Sequence, residues 1–403
     1  MRLSYLTLFI LALANTRAAA DWPQFRGPES TGILPNASIP ATLKIDWSAP
    51  LPGRGLSSPI VIGKKVFVTS SSGPKQERLH VLCFNTEDGG KLWERQLQAT
   101  GRTMSHPKTA VAAPTACSDG RRVFAIWSSN DLAAFDLDGN LLWLRGLTAD
   151  YANASNSLGM ASSPIVIGET VVVMIENDSE SYSLGVDAAT GRNSWKLERP
   201  KSANWTSPIS WRPDAQAEPV AILQSSQGLL AVDPRSGSKL WEYTGGASTM
   251  SSSVVANGMV FAVSNGITAL TPKPNNAAPE QVWNSRQINP ATISPLILDN
   301  QLLSINGAGI LSSADAANGQ AKWKLRMTGP FSGSPVGGGK QLMAVNETGL
   351  VQVVDLAGAE GVAAGQLQLP LNQAAKELIL CTPALSPEHA FIRSDSNLWR
   401  LGK

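Results

Sequence analysis

DAATGRNSW (187–195), DPRSGSKLW (233–241) and DAANGQAKW (315–323) are three copies of one pattern, and their recurrence decides the fold. Each places Asp eight residues and Gly four residues before a Trp. The residues involved are Asp187, Gly191 and Trp195, then Asp233, Gly237 and Trp241, then Asp315, Gly319 and Trp323. NTEDGGKLW (85–93) keeps the spacing with Asn85 in the Asp place, and DLDGNLLW (136–143) keeps Gly and Trp with one residue deleted. With Trp283 included, Trp93, Trp143, Trp195, Trp241, Trp283 and Trp323 recur at intervals of 40 to 52 residues. A period in that range marks a repeat architecture.

A second motif keeps the same beat. SSPI (57–60), APTA (113–116), SSPI (162–165), TSPI (206–209), SSVV (252–255), ISPL (293–296), GSPV (333–336) and CTPA (381–384) open eight units. Short runs rich in Val, Ile and Leu follow each, such as VVVMI (171–175), and no convincing helical stretch intervenes. Such runs between turn residues read as strands. Four strands per unit, repeated around a ring, predict an all-β, eight-bladed β-propeller of antiparallel blades.

Each repeat position has a physical reason. Gly with Asp or Asn makes a tight turn between the third and fourth strands, where a positive φ is needed. Trp on the fourth strand is large enough to fill the gap between neighbouring blades. Small residues at the blade opening permit close backbone approach near the central channel.

The last unit, 381–403, stops after three strands, whereas IDWSAPLP (45–52) is a lone Trp strand with no blade before it. Trp47 is therefore expected to complete the last blade, pairing the two chain ends and leaving no open edge. Blade 7, roughly 333–370, has lost its Trp, and blade 5 has a degenerate turn between Thr271 and Val282. The propeller is thus expected over 45–403.

Ahead of it, residues 1–20 read as a secretory signal peptide. Arg2 supplies the positive start, Leu3 to Ala14 the apolar stretch, and Ala18-Ala19-Ala20 the small-residue cleavage pattern. The mature protein is expected to begin near Asp21 and to be periplasmic or extracellular. DWPQFRGPESTGILP (21–35) lies in an N-terminal strap, 21–44, with Trp22 and Phe25 packed and Arg26 capping carbonyls or an acidic group. No later segment reads as a transmembrane helix.

Composition excludes several classes. A formal charge of +2 over 403 residues leaves no electrostatic footprint for nucleic acid. Three cysteines, Cys83, Cys117 and Cys381, cannot make a disulfide framework. Buried free thiols are the default reading, with a Cys83–Cys117 bridge as the alternative in an oxidising compartment. There is no Ser-His-Asp order, phosphate loop or helical zinc motif.

DAATGRNSW resembles the pyrroloquinoline-quinone (PQQ)-type propeller repeat, Ala-x-Asp-x-x-Thr-Gly-x-x-x-Trp, and the likeness covers nearly the whole mature chain. DWPQFRGP, SHPKTAVAAPTACSDGRRVFA (105–125) and GMASSPIVIGETVVVMIENDSESY (159–182) look like secreted BamB-like propellers common in Planctomycetes and Verrucomicrobia. BamB is the propeller subunit of the outer-membrane barrel-assembly machinery. The broader resemblance also implies an alternative, a PQQ-dependent alcohol or sugar dehydrogenase with calcium. Alcohol dehydrogenases of that kind stack the quinone against a Trp and a vicinal Cys-Cys disulfide, and this chain has no such pair. It has no CxxCH haem site either.

Five residues stand out as candidates for contact with a ligand or partner. His106 and Lys108 lie in the connector between blades 1 and 2, where propeller ligands usually enter; a Pro-shaped loop is the more economical reading. Glu176 and Asp178, in IENDSESY, read as a cation site or partner-facing loop, or more economically as a solvated hairpin tip. Trp205, outside the repeat, reads as a stacking surface at the channel mouth or as core. His80 and His389, in strand-like runs, read as structural. The function these readings favour is a non-enzymatic platform for an envelope or extracellular protein or polymer, with no cofactor expected.

Overall fold

Runs such as Thr170–Ile175 and Val220–Ser225 bury every residue, so both sheet faces are covered. Outer strands such as Asn193–Glu198 are mostly exposed or half-buried. That gradient is what a radial stack of sheets imposes, because neighbouring blades press together near the axis and splay at the rim. The structure, a computed structural model, describes residues 21–154, 158–214, 216–273 and 277–403. The segment 1–20, expected to be a signal peptide, lies outside the described residues.

The strands form eight four-stranded antiparallel sheets. Blade 1 contains Ile60–Ile62, Lys65–Ser72, Arg78–Asn85 and Lys91–Gln98, and six more blades follow in simple chain order. The eighth contains Ala384–Leu385, Ala390–Arg393 and Asn397–Gly402, and is completed by Lys44–Pro50 from the other end of the chain. Ser48 stands opposite Trp399 in that pairing, and a bulge lies between Ile45 and Trp47. Joining the two termini in one sheet removes the free edge on which an open ring would unravel.

The repeat Trps work between blades. Trp143 donates its indole N–H to the Ala188 carbonyl of the next blade at 3.1 Å. Its ring covers Gly191, where φ is +73° and an added Cβ would stand 2.7 Å from the indole. Asp187 accepts from the Thr190 N–H at 2.8 Å and so shapes the same turn. Asp, Gly and the preceding blade's Trp are thus one device. Trp47, Trp93, Trp195 and Trp283 make the same donation to Thr86, Leu137, Pro234 and Ala316. Trp323 covers Gly361. The buried indole N–H of Trp241 has no partner among the described residues, and it faces the blade whose turn is degenerate.

Blade 7 shows why one Trp is missing. Gly365 stands opposite Val353, the register held elsewhere by Trp. A Cβ there would lie 1.8 Å from the Ala41 carbonyl, so the N-terminal segment occupies the space. Leu34, Ala37, Ile39 and Leu43 join one core cluster with blades 7, 8 and 1.

The same N-terminal segment enters the channel. Trp22 and Val61 exchange both backbone hydrogen bonds, at 2.8 and 2.9 Å, along the free edge of blade 1's inner strand. Pro23 accepts from Ser118 of blade 2, and Gly337 of blade 7 exchanges bonds with Gly32 and Leu34. Trp22 is fully buried, with its ring laid on Gly27.

Candidate functional site at the channel mouth

Each blade-opening motif delivers one hydroxyl to the channel. The Ser58 N–H donates to Thr115 Oγ1, Thr115 to Ser163 Oγ, Ser163 to Ser207, and Ser207 to Ser252. Ser252 continues to Ser294, Ser294 to Ser334, Ser334 to Thr382, and Thr382 back to Ser58. The chain of donors and acceptors closes on itself through all eight blades, at 2.8 to 3.2 Å per bond. It also corrects two registers. The aligned motifs of blades 2 and 5 are Pro114-Thr115-Ala116 and Ser251-Ser252-Ser253, one residue away from APTA and SSVV as read by similarity.

Above this ring opens a cavity of 570 Å³. The residue two positions before each hydroxyl lines it: Leu56, Ala113, Ala161, Trp205, Met250, Thr292, Ser332 and Leu380. Leu158 and Met250 are exposed at 45% and 47%, so the mouth presents apolar surface to solvent. Phe25 reaches the floor from the strap side. A second cavity of 380 Å³ shares Leu56, Lys108 and Leu380 and leads outward past Arg54, Lys376, Glu377 and Asp395.

Three of the five candidates converge here. His106, Lys108 and Trp205 all line the central cavity. His106 is held by its N–H to Leu158 O at 3.0 Å and accepts the Lys108 N–H on Nδ1 at 3.1 Å. Trp205 is half-buried and donates Nε1–H to Gly159 O at 2.8 Å, which leaves the ring available on the cavity side.

Glu176 and Asp178 do not join them, and the solvated-tip reading of Glu176 is corrected. Its carboxylate is 1% exposed and accepts from Arg199 Nε at 2.6 Å and Asn204 Nδ2 at 2.9 Å. Burial pushes its pKa up, and Arg199 opposes that rise. Arg199 stands 23 residues away, so the local acidic run gave no sign of it. Asp178, exposed, caps the Ala203 N–H at 3.1 Å.

Sequence reading missed Glu347, the acidic group of the cavity wall. It accepts from Ser332 Oγ at 2.7 Å, and the Lys108 ammonium stands 3.4 Å from its other oxygen. No periodicity singles it out, because it comes from a strand-connecting turn of blade 7. His80 bridges Ser72 Oγ and Glu94 Oε1, at 2.8 Å each, inside blade 1. His389 lies 3.7 Å from Asp46. The three cysteines are free and buried, so the Cys83–Cys117 bridge does not form. Among the described residues no helix is long and apolar enough to cross a membrane.

A family model described as outer membrane protein assembly factor BamB matches residues 37–179 and 155–306. No curated protein matches the chain by sequence. BamB from Moraxella catarrhalis is similar in structure, with a TM-score of 0.65 at 16% identity over 90% of this chain and 98% of that one. A quinohemoprotein alcohol dehydrogenase from Comamonas testosteroni superposes with a TM-score of 0.70 at 14% identity, covering 96% of this chain and 81% of its own. A europium-containing methanol dehydrogenase gives 0.70 at 11% identity, over 96% and 98%. At these identities the likeness is one of fold.

Proposed function

This chain belongs to the family of outer membrane protein assembly factor BamB, and from that premise we propose an exported, non-enzymatic binding platform that works in the periplasm or outside the cell. The observation that carries the reading is the cavity. Residues from all eight blades meet there around exposed Leu158 and Met250 and the half-buried ring of Trp205. A rigid sheet scaffold holding an apolar mouth suits a protein or polymer segment that buries apolar groups on arrival.

The rival reading is quinone-dependent oxidation. PQQ is a tricarboxylate, and an anion of that size needs several cations. Among the described residues lining the cavity, Lys108 is the one permanent cation and already faces Glu347. These residues are a poor match to the quinone, and no catalytic step is derived through it.

A photo-crosslinking residue at Met250 in cells tests the proposal, with the same residue at exposed Val362 on the ring's flank as control. A discrete adduct from Met250 and none from Val362 is expected. Equal or absent adducts would overturn the platform reading. Saturable quenching of tryptophan fluorescence by PQQ with calcium, lost in Trp205→Ala, would restore the rival.

A further inference from the structure

Blade 6 (Leu296–Leu298, Gln301–Ile305, Ile310–Asp315 and Ala321–Arg326) departs from the other blades in one row of its sheet. Ser304 stands opposite Ser312, and Ser312 opposite Lys324. The same row reads Val68, Leu82 and Glu94 in blade 1, and Leu223, Leu230 and Glu242 in blade 4. In each of the other seven blades at least one of the three residues is apolar. Trp323 covers Gly361 of blade 7, so its neighbour Lys324 projects to the opposite face, toward blade 5. A wholly polar row thus faces blade 5 where other blades place apolar packing.

A cavity of 330 Å³ opens there, between this row and Gln287 and Asn289 of the connector that leaves blade 5. Ser304 is its buried back wall, and the accessible groups stand in front of it. Most of them are donors. Asn289 Oδ1 accepts the Ala291 N–H at 3.1 Å, and Asn306 Oδ1 accepts from the Ala308 and Ile310 N–H groups at 3.0 Å each. Each amide therefore turns its NH₂ to other partners. Arg326 uses Nη1 on the Ala308 carbonyl at 2.9 Å and keeps the rest of its fork. Lys324 is exposed and has no ion-pair partner among the described residues, whereas Lys322 on the same strand holds Asp315 at 3.0 Å. No carboxylate lines this cavity among the described residues. The comparable cleft between blades 3 and 4, of 260 Å³, is lined by Glu198 and Glu242, and its Arg199 is already bound to Glu176. The positive sign therefore belongs to this cleft and not to propeller geometry.

Size then separates a lone oxyanion from a larger ligand. At about 30 Å³ per water the cavity holds about ten waters, so a single small ion would leave it mostly wet. Lys324 and Arg326 lie on one face of one strand, about 6.6 Å apart along it, with the connector amides across from them. Half-buried Ile310 lies between as an apolar contact. We propose that the cleft between blades 5 and 6 binds an anionic sugar, a ring whose carboxylate or phosphate meets Lys324 and Arg326 while its hydroxyls accept from the amides of Gln287, Asn289 and Asn306. Charge-assisted bonds fix the anionic end, and the C–H face of the ring lies on Ile310. The cleft shares no lining residue with the mouth cavity, so the site stands whether or not a partner binds there.

Calorimetric titration of the full chain with glucuronate, glucose 6-phosphate, glucose and inorganic phosphate tests it at fixed ionic strength. Saturable binding of at least one of the two sugar anions is expected, with a Kd below about 1 mM. Whichever binds more tightly tells carboxylate from phosphate. Glucose and inorganic phosphate should each bind at least about tenfold more weakly, since each lacks half of the contacts. Lys324→Met should weaken the sugar anion by about tenfold, the worth of one charge-assisted bond, and Lys324→Arg should keep most of the affinity. Lys322→Met, which removes an equal charge from the same strand, should change nothing. Absence of saturable binding by both sugar anions overturns the site. So does equal binding of glucose or phosphate, or a loss in Lys322→Met as large as that in Lys324→Met.

Discussion

Trp22 shows how much one side chain can do when the backbone around it is committed. Its indole is fully buried against Gly27, while its own N–H and C=O extend blade 1 by one bridge. Truncation leaves a cavity that Gly27, at φ +67°, cannot relax into, so Trp22→Ala should cost about 3–5 kcal/mol by chemical denaturation. A loss under about 1 kcal/mol would mean that the strap is only loosely held. The cysteines make a second case at this scale. Cys83 stands opposite Trp93, in the register where other blades place Gly185 or Ala231, so it serves as a small filler. Burial pushes its thiol up to about 12 and that of Cys381 to about 11. An unfolded thiol ionises near 8.5, so above that pH the unfolded state loses protons that the folded state keeps. Stability should hold below about pH 8.5 and fall as pH rises toward 11. Ellman's reagent should find no reactive thiol in native protein at neutral pH and all three after unfolding; a fast-reacting native thiol would contradict the burial.

Within a blade, the unit of stability is the clamp between one outer strand's Trp and the next blade's turn. Trp195 donates to Pro234 O at 2.8 Å, whereas Trp241, equally buried, finds no acceptor among the described residues. Phe in place of Trp removes the N–H and keeps much of the ring. Trp195→Phe should therefore cost about 1 kcal/mol more than Trp241→Phe, the net worth of one hydrogen bond. Equal losses in denaturant titrations would show that ring packing alone matters. This clamp is why the blade count was legible, since a large aromatic at fixed distance from Asp and Gly leaves a mark that survives divergence elsewhere. The blade-opening motif was legible too, except where Pro is absent after the hydroxyl, as at Thr115-Ala116 and Ser252-Ser253, and there the register slipped by one. The cavity was mostly illegible. Its lining position holds Leu, Ala, Trp, Met, Thr or Ser from blade to blade, so geometry, not residue type, is what repeats. Glu176 misled for the opposite reason, because its neighbours Asn177, Asp178 and Ser179 are turn formers while its partner Arg199 belongs to another segment.

A ring of blades has no natural end, and this molecule closes it three times over. The outer closure is the pairing of Lys44–Pro50 with Asn397–Gly402. The inner closure is the circle of hydroxyl bonds, whose last link runs from Thr382 to Ser58. Between them the strap crosses from blades 1 and 2 to blade 7 and then fills the place of the missing Trp at Gly365. Each closure spans the same break between blades 8 and 1, so none protects one blade alone. Shortening the chain to begin at Asn36 removes Trp22, Phe25, Arg26 and Leu34 but leaves the outer pairing of Lys44–Pro50 intact. The remaining ring should unfold in one transition at a lower Tm, because the strap's contacts are shared among blades 1, 2, 6 and 7. A separate early transition in calorimetry, with the main peak unmoved, would instead mark the strap as an independent appendage. The same truncation also takes Phe25 from the cavity floor, so a small uncharged dye excluded from the intact channel should gain access in the shortened form. Lower Tm together with dye access is the joint signature of a segment that is both clasp and plug.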